Sequence, residues 1–225
     1  MNERFLVEQL KEQLEPRYSC VLSHQDLTRL TVFKGALKER LGYLPVLNEI
    51  DLILVGRAGH LSAVEVKYFK LKKDGGFNRP FYDGIGQALS LFRYGFDHVA
   101  LWHLFPSDID QSRFDRYGAA TWWFIRNQLK LPLDFSYFKV EDSLGTPRFV
   151  VMQYDGPTSS VLLTPIDSPG FLVTWKYANP LAQTEDVQCL RAALVKALGI
   201  GDSALAETSH TSLHGHVSGS TSTPS

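Results

Sequence analysis

Residues Leu44–Lys70 read LPVLNEIDLILVGRAGHLSAVEVKYFK, and the fold follows from how this stretch alternates. Ile50–Val55 is apolar and β-branched, Gly56-Arg57-Ala58-Gly59 is turn chemistry, and Leu61–Phe69 resumes a strand pattern. So short a connection makes the two strands antiparallel neighbours. Side chains two apart share a face of a strand. On the first strand Ile50, Leu52 and Leu54 therefore face one way, and Asp51, Ile53 and Val55 the other. On the second strand Ala63, Glu65, Lys67 and Phe69 share a face, opposite Val64, Val66 and Tyr68. A carboxylate set in an apolar strand is costly unless it has a partner or a metal. Here two such acids, Asp51 and Glu65, fall on adjacent strands with Lys67 beside the second.

Outward from this hairpin, Asn2–Leu14 has the spacing of an amphipathic helix, with Phe5, Leu6, Gln9, Leu10 and Leu14 on one stripe and Pro16 as its end. Tyr18–Leu22 is a short candidate strand, and Leu27–Leu41 a helix that Gly42 closes. A polar loop spans Lys70–Pro80. Asp83 is placed to cap a helix, DGIGQALSLFRYG, that Gly95 closes. His98–Phe105 is a nearly continuous apolar run, the pattern of a strand buried on both faces. The order so far is helix, strand, strand, strand, helix, strand. Beyond it the patterns predict a helix over Arg113–Leu129, strands near Phe149–Tyr154, Val161–Ile166 and Leu172–Lys176, and a last helix over Glu185–Leu198.

These elements predict an α/β fold: a central mixed sheet flanked by helices, with residues 1–110 as its core and 111–200 as a C-terminal α+β elaboration of the same domain. Residues 201–225 are rich in Ser, Thr, Gly and His and poor in large apolar groups, so they read as a disordered tail. The spacing of His210, His214 and His216 in that tail fits no closed metal site. A hydrophobic fraction of 44 % supports a packed core for the rest.

A net charge of −1 advertises no global field for nucleic acid, which leaves room only for a local basic track. Lys70, Lys72, Lys73 and Arg79, set against the lone acid Asp74, supply such a track, to contact phosphates. Cys20 and Cys189 match no metal or redox spacing and read as reduced thiols. No apolar run approaches the roughly 18 residues of a membrane span, and the N-terminus lacks a secretory pattern. The expectation is a cytoplasmic protein. Trp122-Trp123-Phe124 reads as a packed helix face, and His98 and His103 as structural residues.

Two close carboxylates repel, and a hard divalent cation with oxygen ligands relieves the repulsion. Mg²⁺, with Mn²⁺ as its substitute, held by Asp51 and Glu65 would polarise a phosphate and acidify a water. Lys67 would position or deprotonate that water, or neutralise developing charge; the residues alone leave both roles open.

Asp51, thirteen residues, then Glu65-Val66-Lys67 resembles the signature of the PD-(D/E)xK nuclease superfamily, which includes restriction endonucleases. The superfamily core of helix, three strands, helix, strand matches the order above over roughly residues 2–105. The resemblance implies metal ligation by Asp51, Glu65 and the backbone carbonyl of Val66, with Lys67 catalytic. It also implies a site role for Gln87 on the following helix and for an acid on the first helix, Glu3 or Glu8. Glu49, two residues before Asp51, is a further acid for the metal face. Two positions depart from the pattern: Ile50 replaces the Pro common before the Asp, and Leu91 replaces the Tyr that one branch carries four residues after the Gln. The activity so implied is Mg²⁺-dependent hydrolysis of phosphodiesters in DNA, with a homodimer a natural way to cut both strands. The alternative is a catalytically inactive nuclease-fold module that binds nucleic acid or a protein partner.

Overall fold

A computed structural model of the chain describes residues 1–43, 49–143, 145–153, 162–168, 173 and 175–200. The expected tail at 201–225, with its three histidines, lies outside the described residues, as do Tyr154 and Val161 of the expected strands.

Helix α1 spans Glu3–Leu14 and is started by Asn2, whose side chain accepts from the Phe5 N–H at 2.8 Å. Its apolar stripe, Leu6, Val7, Leu10 and Leu14, is buried. Strand β1 (Cys20–Asp26) follows, then a 3₁₀ turn at Leu27–Arg29 and helix α2 (Thr31–Leu41), closed by Gly42 at φ 72°. The strand is longer than expected and the helix starts later, because the Asp26 carboxylate accepts from the Thr28 N–H and holds the chain in the tight turn. Strands β2 (Glu49–Val55) and β3 (Leu61–Tyr68) form the expected antiparallel pair. Helix α3 (Ile85–Leu91) runs on through a 3₁₀ turn to Gly95, and β4 spans His98–Pro106. Helix α4 (Gln111–Trp123) ends in a π-helical turn at Phe124–Gln128. Strands β5 (Asp134–Ser143), β6 (Thr146–Gln153) and β7 (Leu162–Pro165) and helix α5 (Glu185–Leu198) complete the chain.

The seven strands form one sheet in sequence order, β1 to β7. The β3–β4 and β4–β5 pairs are parallel and the others antiparallel, so the sheet is mixed and flanked by helices, an α/β fold. One face carries Ile53, Val55, Ala63, Val99 and Leu101 against residues of α2, α3 and α5. The other carries Leu52, Leu54, Val64, Val66, Ala100 and Trp102 against α1. All eight positions of β3 are buried, Ser62, Glu65 and Lys67 among them. A smaller aromatic cluster, including Phe69, Phe77, Phe105 and Phe114, packs the 70–80 loop against α4.

Three expectations need correction. No strand was foreseen over Asp134–Ser143, yet β5 lies beside β4 in mid-sheet. Of the strand expected at Leu172–Lys176, Leu172 and Thr174 lie outside the described residues, and Val173, Trp175 and Lys176 belong to no strand. The backbone there is held by a side chain instead: the N–H groups of Lys176 and Tyr177 donate to the Asp134 carboxylate, and Trp175 stacks on His98 at 5.4 Å. Trp123 is not packed; it is 50 % exposed at the end of α4. Among the described residues no helix is long and apolar enough to cross a membrane.

Candidate functional site

The β2–β3 ladder runs from Val55 opposite Leu61 to Leu52 opposite Val64 and stops one residue short of Asp51 and Glu65. Beyond that point two N–H groups on the β2 side of β3 are taken by carboxylates. Asp51 Oδ2 accepts from the Val66 N–H at 2.7 Å, and Glu3 Oε2, from the start of α1, accepts from the Tyr68 N–H at 2.6 Å. A residue's N–H and C=O point to the same neighbouring strand, so the Val66 carbonyl opens into this gap too. Of the two acids considered on the first helix, Glu3 reaches the gap. Glu8 instead accepts from Ser23 Oγ at 2.8 Å and lies 3.6 Å from His24.

Glu65 and Lys67 form a direct ion pair, with Glu65 3 % and Lys67 6 % exposed. Burial, and after it the charge of Asp51, pushes the Glu65 carboxyl up to about 7, against the pull of Lys67. Burial also raises Asp51, opposed by the Val66 N–H and by Lys67. Burial works against the Lys67 charge, but Glu65, Asp51 and Glu3 together outweigh it and hold the amine above its ordinary value. These acids favour the ammonium form of Lys67. Two carboxylates with raised affinity for protons are groups whose charge a cation would stabilise.

Supporting residues fix this geometry. Arg79 bridges Glu3 at 3.1 Å and Asp83 at 2.6 Å, so it belongs to the acid cluster and not to the exposed lysine track. Asp83 is therefore not the helix cap expected of it. Gly84 takes that place at φ 87°, and a Cβ there would stand 2.7 Å from Leu101 Cδ1 and 3.0 Å from Lys67 Cγ. His103, fully buried and opposite Lys67 on β4, lies with Nε2 3.1 Å from the Asp83 carbonyl. A carbonyl can only accept, so Nε2 carries the proton, and burial holds the ring neutral with its pKa lowered to about 3.

His24, which sequence reasoning passed over, sits across from Asp51, between the pairs Ser23–Leu52 and Gln25–Ile50. Its Nδ1 lies 2.6 Å from Glu49 Oε1. His24, Glu49 and Asp51 each offer a ligand atom within 4.8 Å of the others, a group able to hold a metal ion. Asp51 thus stands between two donor sets: Glu65 with the Val66 carbonyl on one side, His24 with Glu49 on the other. The oxygen-only side suits a hard cation such as Mg²⁺ or Mn²⁺, and the side with an imidazole suits a softer ion such as Zn²⁺. The sequence pattern did not single out His24, because it falls beyond the expected strand Tyr18–Leu22, whereas the strand runs on to Asp26.

Gln87 is exposed on α3, and the structure does not bring its side chain onto Glu65 or Lys67. Lys70, Lys72 and Lys73 are exposed on the 70–80 loop, which is closed by the Leu71–Phe77 bridge and by Lys72 N–H donating to Gly76 at 2.7 Å.

No protein-family model and no curated protein matches the chain. Among solved structures, the chain is similar to SfsA of Pyrococcus furiosus in complex with Ca²⁺, at 12 % identity and a TM-score of 0.32, over 65 % of this chain and 59 % of that one. The chain thus spans less than two thirds of that protein, and a likeness this distant fixes neither fold nor chemistry.

Proposed function

We propose that the chain is a Mg²⁺- or Mn²⁺-dependent phosphodiesterase of the PD-(D/E)xK kind that cleaves DNA. The observation that carries this reading is the buried junction of Asp51, Glu65 and Lys67 at the point where the β2–β3 ladder stops. A solvent-facing ion pair on a hairpin edge would not need burial, and it would not draw a carboxylate onto the Val66 N–H. Asp51, Glu65 and the Val66 carbonyl would hold the cation, with His24 and Glu49 adjoining. The bound cation would polarise the phosphoryl oxygens and lower the pKa of the attacking water. Lys67, kept charged by its acidic neighbours, donates hydrogen bonds to the negative charge that builds on the phosphoryl group. Glu3 and Arg79 hold Tyr68 and Asp83 in place around it. The exposed Lys70, Lys72 and Lys73 contact flanking phosphates.

The test is incubation of the purified protein with labelled single-stranded, duplex and branched DNA and with RNA, in Mg²⁺, Mn²⁺ or EDTA. Asp51→Asn and Lys67→Ala run beside the wild type after their melting temperatures are compared. Metal-dependent cutting that both folded variants lose is the expected result. If nothing is cut and no metal raises the melting temperature, the enzymatic reading is overturned and a binding module takes its place.

A further inference from the structure

We propose that Tyr82, braced by Phe81 and Phe124, is a stacking platform for an unpaired base, so that the site takes single-stranded nucleic acid in preference to duplex. The inference rests on the reading of the ligand as nucleic acid and names the form it takes.

The chain leaves the site at Phe69 and returns to it at Gly84, whose missing Cβ faces Lys67 Cγ. The outgoing limb of this loop exposes Lys70, Lys72 and Lys73. The returning limb exposes Tyr82, at 53 %, two residues before Gly84. Two residues span at most roughly 7 Å, so the backbone of Tyr82 lies beside Gly84, which packs on Lys67. Cations on one limb and an aromatic on the other, both flanking a site for phosphate, match the alternation of phosphate and base along a single strand.

The platform is also rigid. Phe81 meets Tyr82 edge-on at 5.3 Å and Phe124 edge-on at 5.5 Å, and Tyr82 lies 6.4 Å from Phe124. The backbone of the limb is pinned to α4, by Tyr117 Oη donating to the Arg79 carbonyl and Thr121 Oγ1 to the Phe81 carbonyl, both at 3.0 Å. Bases in a duplex are stacked on one another and must be unstacked to use such a ring, at an energetic cost that an unpaired base does not incur. The occupant is therefore a base in an unpaired strand.

The test measures binding by fluorescence anisotropy in EDTA, with wild type, Tyr82→Ala and Tyr82→Phe. The probes are a labelled single-stranded oligonucleotide, the same length of duplex, and a single strand whose central positions are abasic. Single strand should bind more tightly than duplex to the wild type. Tyr82→Ala should weaken single-strand binding by about 5- to 150-fold, the loss of one base–aromatic stack, while Tyr82→Phe keeps it. The abasic strand should bind wild type and Tyr82→Ala alike. Equal single-strand binding by wild type and Tyr82→Ala, tighter binding of duplex, or no binding of any probe would overturn the proposal. Cleavage of the same probes in Mg²⁺ separates the two readings. Stacking-dependent binding without cleavage removes the enzyme and leaves the platform; cleavage with binding that ignores Tyr82 does the reverse.

Discussion

Replacing Gly84 with alanine tests the account of how Lys67 is held. Gly84 sits at φ 87°, where an L-residue costs about 1–2 kcal/mol. Its new Cβ would stand 2.7 Å from Leu101 Cδ1, 3.0 Å from Lys67 Cγ and 3.2 Å from Lys67 Cε. Leu101 is fully buried and Lys67 nearly so, so neither can swing into solvent, and overpacking of this kind costs about 1–3 kcal/mol. The sum is about 2–5 kcal/mol. For a chain of this size each kcal/mol is worth about 2–4 °C, so Gly84→Ala should melt roughly 4–20 °C below wild type. Gly86, two residues on and inside α3, is the control: a Cβ there meets nothing within 4 Å. Gly86→Ala should raise the melting temperature by a few degrees, from about 0.5–1 kcal/mol of helix preference. Both substitutions restrict the unfolded chain alike, so their difference reports the folded-state cost at Gly84, its positive φ and its close contacts together. Thermal melts followed by circular dichroism suffice. If the two variants shift together, the close approach of Gly84 to Lys67 is not what the site depends on.

Other outcomes follow from the same structure. Folded His103 refuses a proton until about pH 3, whereas the unfolded ring accepts one near 6.5, so stability should fall as pH drops from 6.5, by about 1.4 kcal/mol per unit. Urea titrations of wild type and His103→Leu should show the variant gaining about 2 kcal/mol on wild type between pH 6.5 and pH 5; an unchanged difference would refute a neutral buried ring. Folded Glu65 gives up its proton only near 7, so its charge costs stability as pH rises from 4.5 to 7. In chelator, Glu65→Gln should therefore gain on wild type across that window, and a gain of the opposite sign would show that the Lys67 pairing wins. Asn179 donates to the Phe92 and Phe96 carbonyls and accepts from the Leu181 N–H, all while buried. Asn179→Ala should cost about 2–4 kcal/mol in a denaturant titration, since these backbone groups are left without partners; a loss under 1 kcal/mol would mean that water replaces the side chain.

The hairpin was legible because its determinants are local. Period-2 alternation and a four-residue turn are enough to place Asp51 next to Glu65 and Lys67. The same locality made α1, α3 and β4 readable, and the helix Glu185–Leu198 matched to the residue. Strand β5 was missed because Ser136, Lys139 and Glu141 interrupt its apolar pattern; it is a strand by virtue of its ladders to β4 and β6, which come from elsewhere in the chain.

The sequence by itself therefore determined the α/β class and the pairing of two acids with a lysine, since a short turn and an alternating pattern leave a hairpin little freedom. Only the tertiary structure decided that Glu3 and not Glu8 closes the site, that His24 comes to Asp51, that Arg79 is spent on Glu3 and Asp83, and that Gly84 rather than Asp83 starts α3. Each of these depends on the register between segments brought together by packing, and such contacts carry no local periodicity for a sequence to display.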